Sequence, residues 1–265
     1  MKRLLPKKTK VGHTGTLDPL ASGLLVLLTG RATRLSRYVT DLDKTYAATA
    51  LFGAVSDTLD ADGKITPLDA PPPDEHAISA ALEDFTGDLL QVPPMASALK
   101  RKGVRLYDLH RRGVTVEREA RPVRIHSLTL LATNPPEQTA TFEISCTSGT
   151  YVRTLISDLA SHLGTGAYLT ALRRTRVGHL TLEDATLLSE LSSETINNHI
   201  IQPERVVAHL PVVALDPALK RAVCNGRGVE AFEGGLFRVE SEGELLAIYR
   251  GEGGLARPEV VLCAE

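Results

Sequence analysis

The residues with the most chemical potential stand in one short stretch, Gly12-His13-Thr14-Gly15-Thr16-Leu17-Asp18-Pro19-Leu20-Ala21-Ser22-Gly23. Gly12, Gly15 and Pro19 impose turn geometry, and the apolar run Leu24-Leu25-Val26-Leu27-Leu28 follows at once. Asp18 is therefore expected on a constrained loop at the edge of a buried segment. A carboxylate held this way either caps local backbone N–H groups or does chemistry on a substrate. Spacing alone favours the cap, which is the commoner use of Asp in turns.

Three further stretches carry groups that could assist such a carboxylate. Asp43-Lys44-Thr45-Tyr46 offers a flat ring for stacking and a hydroxyl near a basic neighbour. In Ser148-Gly149-Thr150-Tyr151-Val152-Arg153-Thr154-Leu155, a glycine opens a helix whose first turns hold Tyr151 and Arg153. In Gly166-Ala167-Tyr168-Leu169-Thr170-Ala171-Leu172-Arg173-Arg174, an apolar strand ends in two cations. Taken singly, Tyr46 and Tyr151 read as half-buried core aromatics, Arg153 as a helix-surface charge and Leu172 as core packing.

Other chemistries are disfavoured. The eight histidines are scattered without HxxxH or HxH pairing, so no transition-metal site is expected. The acidic turn Asp57-Thr58-Leu59-Asp60-Ala61-Asp62-Gly63 partly mimics a calcium loop. Thr58 stands where the first Asp ligand belongs, however, and Asp69 where the closing Glu belongs, so it reads as an acidic loop. Cys146, Cys224 and Cys263 are odd in number, far apart and without CxxC spacing; they are expected as free, mostly buried thiols rather than as a disulfide framework or zinc site. No run approaches the roughly 20 apolar residues that cross a bilayer, and Met1 to Lys8 lacks a secretory apolar stretch, which implies a cytoplasmic address and no membrane partner.

The net charge of −2 conceals a segregated pattern. Residues 1–50 hold nine Lys/Arg against three Asp/Glu, and residues 100–126 repeat that count. Residues 51–90, with one Lys/Arg against nine Asp/Glu, and residues 181–265, with seven against fourteen, offset them. Two basic segments parted by an acidic one can converge into a phosphate-tracking surface, the electrostatic footprint of an RNA binder; either alone also fits a solvated charged face.

The elements that would position these groups follow from periodicity. Strands are expected at Leu24 to Thr29, Lys44 to Phe52, 121–132, 139–147 and 167–175. Helices are expected at Arg31 to Leu42, with Arg31, Arg34 and Arg37 along one face; after the Pro71-Pro72-Pro73 linker, through Ile78, Ala81, Leu82 and Phe85; and from Tyr151 to about Leu163. From His209 onward, short apolar runs alternate with Gly and charged turns, as in a compact all-β module.

The Gly12 to Gly23 string closely resembles the signature of the pseudouridine synthase family that acts on the T arm of transfer RNA, in its bacterial stand-alone (TruB-like) branch. The stretches around Tyr46, Tyr151 and Arg153, and Leu172 match that family's ordered motifs, and the basic segment from Pro93 to Arg112 resembles its RNA-gripping region. The resemblance implies Asp18 as nucleophile, Arg153 as its ion-pair partner and Tyr46 as the ring against the target uracil. His13, Tyr151 and Leu172 match positions lining the substrate pocket. It implies an α+β fold, with a mixed, mainly antiparallel sheet flanked by helices over residues 1–205 and a small all-β PUA-like domain over 206–265. It implies no cofactor, transfer RNA as partner, no obligatory protein partner and a monomer. Family members carry a strand and a Lys-Pro turn some tens of residues before the Gly-His motif, so that strand is expected to be missing here. Guide-directed synthesis and non-catalytic RNA binding or folding are the competing expectations.

Overall fold

The structure, a computed structural model, describes residues 2–101, 103–230 and 234–263; Lys102 of the basic segment lies outside them. The chain divides into two compact units that alternate along the sequence. One unit comprises Thr16–Leu25 and Asp41–Leu182; the other comprises Met1–Gly15, Val26–Thr40 and Glu183–Glu265.

The first of these carries the large sheet. Its strands run in the order Leu180–Thr181, Ala167–Val177, Lys44–Phe52, Thr139–Cys146, Arg121–Asn134 and Gly87–Gln91, all antiparallel, while Ser22–Gly23 pairs parallel with Ala167–Val177. Alternation puts Ala48, Ala50 and Phe52 on one face, beside Ala140, Phe142, Ile144 and Cys146 of the neighbouring strand. The helix Val152–His162 covers that face with Val152, Leu155, Ile156 and Leu159, whose spacing forms one apolar stripe. Ile78 and Ala81 of the helix Glu75–Ala81 join the same core, and Asp74 caps that helix by accepting from the Ala77 N–H. The α+β architecture with a mainly antiparallel sheet is the expected one.

In the second unit, Val11–His13 pairs antiparallel with Leu27–Thr29. A 3₁₀ turn at Gly30–Leu35 leads into the short helix Ser36–Thr40. A five-stranded sheet follows in the order Val212–Ala214, Gly235–Ser241, Glu244–Glu252, Leu255–Val261 and Val229–Glu230, packed over Val223, Phe237, Val239, Leu246 and Tyr249. The spacing of Arg31, Arg34 and Arg37 brings all three to the end of the last strand and the residue after it: Arg31 donates to the Leu262 carbonyl at 3.1 Å, Arg34 to that of Val261, and Arg37 pairs with Glu259.

Two expectations are corrected. The apolar run at 24–29 is not one strand, because it meets two partners: the Leu24 N–H donates to the Arg174 carbonyl, whereas Leu27–Thr29 pairs with Val11–His13. The cysteines are not all free thiols. Cys224, on the helix Lys220–Cys224, is disulfide-bonded to Cys263, and of the three only Cys146 is a buried free thiol. Their separation of 39 residues carries no spacing signal, and the fold alone brings their Cα atoms to 5.6 Å.

Candidate active site

Asp18 sits on a loop fixed at several points. Its carbonyl accepts the Ala21 N–H at 2.9 Å, closing a turn, and Leu20 and Ala21 pack against the sheet core. Ser22–Gly23 then joins the edge of Ala167–Val177 beside Arg173 and Arg174. Gly23 is dictated twice over. Its φ of 96° is left-handed, and a Cβ there would lie 2.2 Å from the Arg174 carbonyl oxygen.

Arg153 is the second residue of the helix Val152–His162 and is 3% exposed. It meets Asp18 in a two-pronged ion pair: Nε donates to Oδ2 at 2.9 Å and Nη2 to Oδ1 at 3.0 Å. The rest of the guanidinium is also engaged. Nη2 donates to the Ala96 carbonyl and Nη1 to that of Thr58, both at 2.7 Å, while Nη1 stands 3.3 Å from Asp60 Oδ2. The five N–H donors of the fork thus face five oxygens, which leaves the group a single orientation. Asp60 is as buried as Arg153, and it accepts from the Thr58 hydroxyl at 2.5 Å and the Asp62 N–H at 3.1 Å. Asp18 keeps about a third of its side chain exposed, at 32%. One cation therefore serves two carboxylates, a buried one behind it and an accessible one in front.

This arrangement also resolves a local conflict. The first turn of a helix favours anions, yet Val152–His162 carries a cation there and no acidic residue. Asp18 and Asp60 supply the negative charge from elsewhere in the chain. Tyr151, at the N-cap, has no side-chain cap of its own. Gln91 clamps its backbone instead, with Oε1 accepting the Tyr151 N–H at 2.7 Å and Nε2 donating to its carbonyl at 3.0 Å.

Tyr46 and Leu172 complete the group on the sheet. Leu172 is buried in the core at the strand position opposite Ala48, and the partly buried Tyr46 packs against that core. Burial pushes the hydroxyls of Tyr46 and Tyr151 above their ordinary value, and both feel the Asp18 charge. At Tyr46 the Arg174 guanidinium opposes that rise. Five of the six expected site residues, Asp18, Tyr46, Tyr151, Arg153 and Leu172, thus lie in one unit. His13 lies in the other, at the end of the strand Val11–His13 opposite Leu27.

Sequence reasoning missed Asp60, Gln91 and the carbonyls of Thr58 and Ala96. Two carboxylates of the acidic turn are taken by protein partners: Asp57 Oδ1 accepts the Lys64 N–H at 2.8 Å, and Asp60 faces Arg153. Among the described residues no His/Cys/Asp/Glu cluster could hold a metal, and no helix is long and apolar enough to cross a membrane.

Solved structures share this architecture. The match to a structure titled "Crystal Structure of a Cbf5-Nop10-Gar1 Complex" has a TM-score of 0.71 at 24% identity, covering 96% of this chain and 77% of that one. One titled "Crystal structure of the archaeal box H/ACA sRNP Nop10-Cbf5 complex" reaches 0.72 at 23% identity, over 99% and 79%. The class is thus that of the Cbf5-like fold. Residues 2–152 match the family described as "TruB family pseudouridylate synthase (N terminal domain)", and residues 153–220 match the "tRNA pseudouridylate synthase B C-terminal domain". The chain belongs to the TruB family of pseudouridylate synthases. Relatives named tRNA pseudouridine synthase B include one from Burkholderia lata, 45% identical over 97% of this chain and 83% of its own length. Another, from Cupriavidus metallidurans, is 43% identical over 97% and 86%.

Proposed function

We propose that this protein converts uridine to pseudouridine in the T arm of transfer RNA, at position 55, with Asp18 as the nucleophile. The observation that carries this reading is the two-pronged Asp18–Arg153 pair, one carboxylate accessible on a cation immobilised from behind by Asp60 and two carbonyls. The reaction is an isomerisation. The bond from the ribose C1′ to N1 of the base breaks, the base turns, C5 bonds to C1′, and the C5 proton is lost while N1 gains one. No redox step is involved, and the chain needs only a fixed carboxylate, a place for the turned base and an exit for a proton.

A uridine within a folded arm must first leave its stack, at a cost of a few kcal/mol. Stacking on an aromatic ring returns about 1–3 kcal/mol per base. Tyr46 supplies that ring, Leu172 and Tyr151 line the receiving pocket, and His13 takes the space the extruded base vacates. Arg153 fixes the direction of the Asp18 oxygens before the substrate arrives, so orientation is not lost from the reaction barrier. The proposal includes a catalytic part at 1–205 and a small PUA-like β part at 206–265, action as a monomer in the cytoplasm, and no guide RNA or protein partner.

The test is incubation of the purified chain with unmodified transfer RNA, without guide RNA, followed by mapping of pseudouridine. Product at the T-arm uridine, abolished by Asp18→Asn with RNA binding retained, is the expected result. Tight binding without product would instead mean a non-catalytic RNA binder, and product only with an added guide would mean a guide-directed enzyme.

A further inference from the structure

Gln91 stands at a junction that the roles above leave unused. It ends the strand Gly87–Gln91 at the edge of the large sheet, where alternation turns it inward like Leu89, while Leu90 and Val92 on either side are exposed. An apolar side chain would suit that inward place. An amide there is unfavourable unless its donor and acceptor are matched, and at 4% exposure little water reaches it. One residue matches both: Oε1 accepts the Tyr151 N–H at 2.7 Å, and Nε2 donates to the Tyr151 carbonyl at 3.0 Å. The amide thus pairs with Tyr151 as a neighbouring strand would. The same carbonyl accepts the Leu155 N–H at 3.0 Å, the first hydrogen bond of the helix Val152–His162.

We propose that Gln91 is a positioning residue for this reaction: by fixing the Tyr151 backbone it sets where the helix begins, and so where the Arg153 fork holds Asp18. The inference rests on the proposed pseudouridine chemistry for its catalytic consequence and on the hydrogen-bond geometry for the link itself. The Tyr151 N–H precedes the helix and has no acceptor within it, and Tyr151 brings no side-chain cap, so Gln91 holds this end. The connection is closed a second time. Five residues after Gln91, the Ala96 carbonyl accepts from Arg153 Nη2 at 2.7 Å. Between the two contacts Pro93 and Pro94 are buried, and their rings fix φ. Residues 91–96 therefore touch the helix start once at its backbone and once at its guanidinium. Without the amide, Tyr151 would be free to turn. A turn there displaces Arg153, two residues on, from Asp18 oxygens 2.9 and 3.0 Å away.

The test compares wild type with Gln91→Met, which fills the same inward place without hydrogen bonds, and with Gln91→Asn, which keeps the amide but is one methylene shorter. Thermal unfolding is the folding control. In both variants the single-turnover rate of pseudouridine formation is expected to fall about tenfold or more while KM for transfer RNA stays within about threefold. Without RNA, hydrogen exchange at the Tyr151 N–H is expected to quicken, and the Nε–H resonance of Arg153 to shift from its position in wild type. Exchange across 44–52 and 139–146 should stay as it was. An unchanged rate, an unmoved Arg153 resonance, or a rise in KM that accounts for the whole loss would overturn the proposal. Should Gln91→Met fail to fold, Gln91→Asn decides by the same readings. In wild type alone, the Tyr151 N–H must exchange at least about 100-fold more slowly than an unstructured amide, or the link is absent. An inactive wild type would defeat the reading of function, whereas the exchange and Arg153 measurements judge the link separately.

Discussion

The two units use arginine in opposite ways. In the sheet-bearing unit, Arg153 and Arg174 are almost wholly buried and bonded on several sides. In the other unit, Arg31, Arg34 and Arg37 reach carbonyls and a carboxylate in and just past the last strand; the Arg37 side chain stays 55% exposed, and a disulfide ties Cys263, two residues beyond that strand. Burying a guanidinium is expensive unless every donor is matched, and that matching fixes its orientation. An exposed one adds little energy and little precision. The first solution holds a carboxylate in one direction, the second closes a sheet.

The sharpest way to break this comparison is Arg153→Met. It leaves buried Asp60 without its cation and Asp18 without its guide, so unfolding in urea should show a loss of about 3–5 kcal/mol. Product formation should fall by at least about 100-fold. A stable, active variant would mean that the buried network is ornamental.

Cleaving the disulfide comes next. For a closed loop of 39 residues, the chain-entropy relation gives about 4 kcal/mol. Reduction or Cys224→Ser should therefore raise hydrogen exchange in 235–261 while leaving 44–52 and 139–146 unchanged. Equal loosening of both regions would erase the distinction between the units.

Lys44 probes buried charge in the sheet through pH. Burial first and Arg174 second push its amine down to about 8 from an ordinary 10.5. Because the folded state releases its proton before the unfolded state does, this site contributes stability that rises as pH climbs from about 8 to 10.5, by at most about 3 kcal/mol. Below that window the cost of burying the cation is present in full. The stability of wild type relative to Lys44→Met should accordingly improve across it in denaturant titrations; a flat difference would show that the amine is solvated. Smallest of all, Arg37→Met should cost no more than about 1 kcal/mol by the same measurement.

Sequence legibility follows the same division between local and distant partners. The strand Lys44–Phe52 and the helix Val152–His162 were readable because their periods are local properties of the chain. Asp18 and Arg153 were recognisable only through ordered motifs, since nothing local says that residues 135 apart will pair. Asp60 looked like one more acid in a polar turn, and its partner lies far along the chain. The carbonyls of Thr58 and Ala96 carry no residue-type signal at all. Arg174 read as a cation ending an apolar strand, because its burial depends on the Asp18 loop arriving at the sheet edge.

The bond from Arg31 to the Leu262 carbonyl has a consequence for the order of events during synthesis. Its partners are 231 residues apart, so at roughly 5–20 residues per second the earlier one waits about 10–50 s for the later one to be made. The unit ending at Leu182 has all its segments well before then. On the ribosome, the fragment that aims the carboxylate can settle while the leading residues still lack their final partner, and a chaperone would meet those residues as an unfinished edge.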